Sequence, residues 1–264
     1  MADETKLTLR LNENHLKKAK NFFSKYELVS LIGDSDEKYF LGEKENRVCR
    51  FCKKPKSEVK FKKEAHVIPE FMGNHNLVSF FECDDCNHIF SKYEDSFANY
   101  LGITRTISQI QGKKNKVPKY KDMRSGLEMT LGDEGLQMTS IDGTDTFELD
   151  EDDKSFTLKT KRPGYIPMHI PKLFIKIGIS MLLDEELIDF EYTREFIINS
   201  DKDLKFKDSN LLRILGYFIP GPPKFKKPFV QLYQKKDLNS EEKLKKYILI
   251  FYYSSYQLQM ILPF

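Results

Sequence analysis

Two cysteine pairs, CRFC at Cys49–Cys52 and CDDC at Cys83–Cys86, enclose a histidine, His66, in the segment EAHVIP. Paired thiols bind a borderline-soft metal, and an imidazole accepts a proton at neutral pH. All four cysteines fall in the two pairs and none is left over. Two residues between cysteines let a tight turn aim both sulfurs at one ion. Two such knuckles complete a tetrahedral thiolate site, which suits Zn²⁺. A redox pair or four separate buried thiols leaves the paired spacing unexplained. Four thiolates leave no open coordination position, so this zinc is expected to be structural. Any chemistry must then come from the insert between the knuckles or from the segment just after the second one.

The elements that would position these groups are legible from pattern. The insert reads KPKSEVKFKKEAHVIPEFMGNHNLVSFFE. AHVI, closed by Pro69, suits a strand. Gly73 and the asparagines supply a loop, and LVSFF suits a second strand, giving a hairpin-like ribbon with a long loop. Beyond Cys86 the period changes. Residues 89, 90, 93, 97, 100 and 101 are apolar or aromatic, the spacing of one helical face. At roughly 100° per residue, Asn87, Ser91 and Glu94 share a narrow sector beside that stripe. Asn87 is expected to open and cap the helix. The order strand, loop, strand, helix over two zinc knuckles is a ββα unit.

With CRFC, EAHVIPEFMGN and CDDCN in place, residues 45–102 resemble the HNH (His-Asn-His) endonuclease family in its ββα-metal form with a four-cysteine zinc. The resemblance implies a metal-dependent endonuclease that hydrolyses DNA phosphodiester bonds. It makes His66 the general base that activates water. It assigns a middle asparagine to brace the loop and orient His66; Asn76 matches best, with Asn74 a rival. The helix position that binds the catalytic Mg²⁺ or Mn²⁺ falls on Asn87. Many members carry an acidic metal ligand directly before the histidine, and here that place is Ala65. Glu64 shares a strand face with His66 and is one candidate second ligand. His88, Ser91 and Glu94 on the helix are the others. Such a site needs a base for water and a cation to neutralise the developing charge; a divalent ion that keeps several waters needs few protein ligands. Lys60, Lys62 and Lys63 precede His66 and are expected to hold flanking phosphates. An RNA-cleaving nuclease and a non-catalytic zinc module that binds nucleic acid are the competing readings. Members of this kind often serve prokaryotic defence or mobile elements, an analogy that extends here to an effector role in defence. One such site cuts one strand, so a homo-oligomer would suit double-strand cleavage.

The rest of the chain bounds these readings. Its 264 residues are 40% hydrophobic and 31% charged, enough for a packed core under a charged surface. A net charge of +3 neither demands nor forbids a nucleic-acid partner, but lysines cluster in KKPKSEVKFKK and GKKNKVPKYK. The N-terminal stretch lacks an apolar signal region, and no apolar run approaches the roughly 18 residues that span a bilayer. A cytoplasmic protein without a membrane partner is expected. Residues 1–110 are expected to hold the nuclease unit with an N-terminal extension: a strand at KLTLRL and a helix at NENHLKKAKNFFSKY, capped by Asn12 or Asn14. Residues 111–264 read as an α+β domain of regulatory, sensing or dimerising role, open to an activating ligand or partner protein. It would begin with a strand-and-turn meander. Pro171 is expected to open a helix with Phe174, Ile177, Met181 and Leu182 on one face, and Gly178 permits close packing. A short helix at YTREFIINS and four strands from LLRILGYFIP to YQLQMILPF complete an α+β fold with a mainly antiparallel sheet.

Overall fold

Asn12 opens the first helix: its side-chain oxygen accepts from the His15 N–H at 2.9 Å, and α1 runs Glu13–Lys25. The computed structural model describes residues 12–112, 115–123, 125–140, 146–199, 209–219, 223–238 and 245–264. The strand expected at KLTLRL lies outside them. β1 (Tyr26–Gly33) follows α1 directly and pairs antiparallel with β11 (Phe225–Lys235). With β10 (Ile214–Phe218), β12 (Tyr247–Ser254) and β13 (Tyr256–Ile261) they form a five-stranded antiparallel sheet of order β1-β11-β12-β13-β10.

The ββα unit hangs beside this sheet. β2 (Tyr39–Leu41), β3 (Ala65–His66) and β4 (Leu77–Ser79) form a three-stranded sheet of order β2-β4-β3. β3 pairs antiparallel with β4, as the ribbon requires; β2 adds to the far side of β4 in parallel. α2 spans Asp84–Leu101 and buries Phe90, Tyr93, Phe97 and Leu101 along the stripe read from the sequence. It starts three residues earlier than expected. Cys83, not Asn87, takes the cap position, and Asp84 and Asp85 place negative charge at the helix N-terminus, where the dipole favours it. A short α3 (Thr104–Ile107) leads to β5 (Tyr120–Asp122), β6 (Leu127–Gly132) and β7 (Gly135–Thr139), a small antiparallel sheet. β8 (Phe147–Asp150) and β9 (Ser155–Leu158) form a separate hairpin.

α4 (His169–Met181) is the central helix, and α5 (Glu191–Ile198) follows it. Pro171 sits at the third position of α4, not at its start; its missing N–H costs nothing in the first turn. The expected single apolar face is too modest: every residue from Pro171 to Met181 is buried. Leu173, Ile175 and Ile179 are fully buried as well, so α4 reads as an enclosed helix. Gly178 lets Leu262 approach so closely that a β-carbon would sit 2.7 Å from it. One hydrophobic cluster joins Cys49, Val67 and Phe90 to Ile177, Phe251 and Leu262. The β1–β11 pairing and this cluster both run across residue 110.

Candidate active site and metal centre

The four cysteine sulfurs all lie within 4.8 Å of one another. The first knuckle is closed by the Lys53 N–H donating to Cys49 O at 2.8 Å, with Lys53 in the left-handed region at φ 61°. The second knuckle is the start of α2: Cys83 caps it and Cys86 lies in its first turn. Phe51 packs edge-on to Phe90 beneath the cluster at 4.7 Å. The sulfurs are close enough to compete for one another's protons. Cys83 is driven down by the thiols donating to it, while Cys49 and Cys86 are raised. A divalent cation would replace this competition, and the donor set is compatible with a structural zinc.

β3 is only two residues long, and its continuation shows why. Instead of pairing in a ladder, three successive carbonyls are met by buried side chains. Lys176 Nζ, from α4, donates to His66 O at 2.5 Å and to Val67 O at 3.3 Å. Asn74 Nδ2 donates to Ile68 O at 2.6 Å and to Leu77 O at 2.9 Å, and Asn74 Oδ1 accepts from the Leu77 N–H at 2.9 Å. The bracing expected of Asn76 is therefore made by Asn74, which is fully buried inside the loop. Asn76 faces the other way: its amide donates to Ser35 O at 2.7 Å, and its backbone N–H, like that of His75, donates to Asp34. Lys176 is fully buried and pairs with the equally buried Glu82 at 3.1 Å. Neither Glu82 oxygen has a hydrogen bond of good geometry, and burial holds its carboxyl above the usual range against the pull of Lys176.

His66 is half-buried, and its Nδ1 is buried with no hydrogen-bond partner. Burial pushes the imidazole below its ordinary value; Glu70 opposes this, and Lys176 adds to it. A ring held neutral can accept a proton. Glu70, on the 3-10 turn Glu70–Met72, also acts on Glu94, whose carboxyl burial pushes up to about 7, with Glu82 and Asp95 adding to the rise. Residues 49–100, which hold the knuckles, His66 and α2, match the family model described as HNH endonuclease. The chain carries an HNH domain. Neither the curated proteins nor the solved structures returned a match.

Within the HNH domain the remaining expected site residues divide. Asn87 is half-buried in the first turn of α2, and its backbone N–H donates to Cys83 O at 2.9 Å. Glu94 shares its helix sector, as does Ser91, whose hydroxyl donates to His88 O. His88 is exposed. Glu64 is exposed and engaged by Lys38. Lys60, Lys62 and Lys63 are exposed; Asp84 fixes their backbone by accepting from the Lys62 and Lys63 N–H groups, both at 2.9 Å. Sequence reasoning missed Lys176, Glu82 and Glu70. Two lysines inside the apolar run IPKLFIKIGISMLL were the available signal, since a charge in an enclosed helix needs a buried partner. No helix among the described residues is long and apolar enough to cross a membrane.

Proposed function

We propose that this protein is a metal-dependent HNH endonuclease that hydrolyses DNA phosphodiester bonds with His66 as general base. The observation that carries the reading is the state of His66: a neutral-leaning ring with a free buried Nδ1, on a strand whose carbonyls are locked by Lys176 and Asn74. Locking the backbone orients the ring before substrate arrives, which is where positioning contributes to rate. His66 takes the proton of the attacking water. Asn74 and Lys176 hold its strand. Lys60, Lys62 and Lys63, exposed along the approach to β3, bind flanking phosphates.

Two donors on one side of α2 are available to a catalytic divalent ion. Glu94, raised to about 7 among other carboxylates, is a group that a cation would relieve, and Asn87 lies on the same side of α2. We assign these two as its ligands, with Glu70 nearby; Glu64 is spent on Lys38. When bound, Mg²⁺ or Mn²⁺ supplies charge neutralisation at the phosphate and the leaving oxygen. A zinc on Cys49, Cys52, Cys83 and Cys86 holds the base of the site. The C-terminal half acts as a regulatory or dimerising part, with prokaryotic defence the setting the family analogy suggests. The test is plasmid cleavage by the purified chain with Mg²⁺ or Mn²⁺. Nicking or cutting that disappears in His66→Ala, with zinc content and folding kept, supports the reading; equal cutting by the variant sinks it. RNA offered in parallel separates a ribonuclease, and binding without cleavage under every ion separates a passive zinc module.

A further inference from the structure

The register of the three-stranded sheet puts a second feature beside His66. Val78 on the central strand β4 pairs with His66 on one side and with Phe40 on the other. Residues paired across strands point to the same face, so His66, Val78 and Phe40 form one row, with His66 and Phe40 two strand spacings, about 10 Å, apart. Ala65, Tyr39 and Leu77, their neighbours in sequence, take the opposite face: Ala65 and Leu77 are fully buried, and Tyr39 packs against the core. On the His66 face Val78 is itself buried, and the row opens to solvent at its two ends, the half-buried His66 and the exposed Phe40. Phe40 stacks on Phe80, with ring centroids 4.3 Å apart and planes only 4° from parallel. Arg47 lies over Phe80, 4.2 Å from its centroid, and Lys38 Nζ lies 5.7 Å from the Phe40 centroid. Phe40 remains 40% exposed.

A parallel-stacked aromatic pair between cations, in line with the candidate base and close in sequence to exposed lysines, has the makings of a stacking surface for nucleobases. Aromatic rings accept a base through its π-face whatever its identity, while flanking cations follow the phosphates. A fully paired duplex cannot offer that face, because its bases are stacked on one another. We propose that Phe40, seated on Phe80 and Arg47, is a platform for one unstacked base of a single-stranded or locally opened DNA, with the neighbouring phosphate at His66. This rests on the nuclease reading for its substrate and adds a preference to it.

The test uses the full chain loaded with zinc and carrying His66→Ala, so that DNA is bound but not cut. The probes are a single-stranded oligonucleotide with a fluorescent base analogue, 2-aminopurine, and the same sequence as a duplex. Stacking quenches the analogue. Adding Phe40→Ala is expected to weaken single-strand binding about tenfold and abolish the quench, with less than a twofold change for the duplex. Phe40→Trp should restore both, and Phe40→Leu, which keeps apolar bulk without a ring, should not. Zinc content and thermal unfolding of each variant show whether the sheet is intact. Single-strand binding that is unchanged in Phe40→Ala, or that falls equally for the duplex, overturns the platform. If the protein with His66 restored cuts nothing yet binding stays ring-dependent, the nuclease reading fails and the platform stands. If it cuts DNA while ring removal changes neither binding nor quench, the reverse holds. No DNA binding at all overturns both.

Discussion

At the knuckle end of the HNH domain, four cysteines from the domain itself converge on one point. Behind β3 the holding groups are split: Asn74 and Glu82 come from the domain, Lys176 from the distant α4. The two ends also differ in physical kind. Coordinate bonds to a metal contribute folding free energy outright, and the thiols need no further partner. A buried ion pair roughly breaks even against apolar residues of the same shape, so Lys176–Glu82 adds little net stability. What Lys176 supplies instead is a donor for the His66 and Val67 carbonyls, which a hydrocarbon cannot replace. The knuckles hold the domain together; the buried pair aims it. A third contact joins the two ends. Arg50, between the cysteines of the first knuckle, donates to Ser180 O at 3.1 Å and Leu182 O at 2.9 Å, capping the C-terminal end of the same α4.

Removing one end should be far more damaging than removing the other. Cys83→Ser, or a strong chelator, is expected to abolish cooperative unfolding of the HNH domain, read by circular dichroism alongside a colorimetric zinc assay. A variant that still melts cooperatively without zinc would break the contrast. Next in size, Lys176→Met leaves Glu82 buried and unpaired and should cost about 3–5 kcal/mol in urea unfolding. Pairing it with Glu82→Leu should restore most of that stability and little of the cleavage activity, because the strand carbonyls still lack a donor. Recovery of both together would show the pair to be structural only.

Smaller still, Asn74→Ala strands the Leu77 N–H and two buried carbonyls. It should cost about 1–3 kcal/mol, against less than about 1 kcal/mol for Asn76→Ala, whose contacts lie nearer the surface. Urea titrations of the two variants side by side rank them; the opposite order would return the bracing role to Asn76. The smallest effect is on pH. A base works when unprotonated, and burial and Lys176 hold His66 below its ordinary value, so the acid limb of cleavage should lie below the ordinary histidine pKa of about 6.5. Removing the Lys176 charge should move that limb to higher pH. Mn²⁺ affinity should rise through about pH 7 as Glu94 loses its proton.

The same contrast explains what could be read from the chain. The knuckles, the strand-loop-strand-helix order and the α2 stripe are local, and spacing alone conveys them. GNHN offers two asparagines two residues apart, and only packing decides that Asn74 points in and Asn76 out. Asn87 looked like a cap because it precedes the apolar stripe, but the knuckle geometry starts the helix at Asp84, where two acidic residues suit the N-terminus. For Lys176 the apolar run hints at burial, but its partner Glu82 carries no such signal. A charged residue in a sequence reads as surface, and nothing local says that two of them meet in the core. The four C-terminal strands of the large sheet were recognisable and β1 was not, and the insertion of β11 between β1 and β12 is a pairing that alternation cannot specify.

That insertion has a consequence in time. β1 waits for a partner about 200 residues further along, and contacts of such separation form late. A chain emerging from the ribosome can bring all four thiols together once Cys86 is out, long before Lys176 and β11 arrive. The knuckles can close first, and the backing of β3 by Lys176 follows. A nascent chain arrested ahead of α4 should therefore already retain zinc through gel filtration while cutting nothing, and released full-length chains should gain activity only as the large sheet closes.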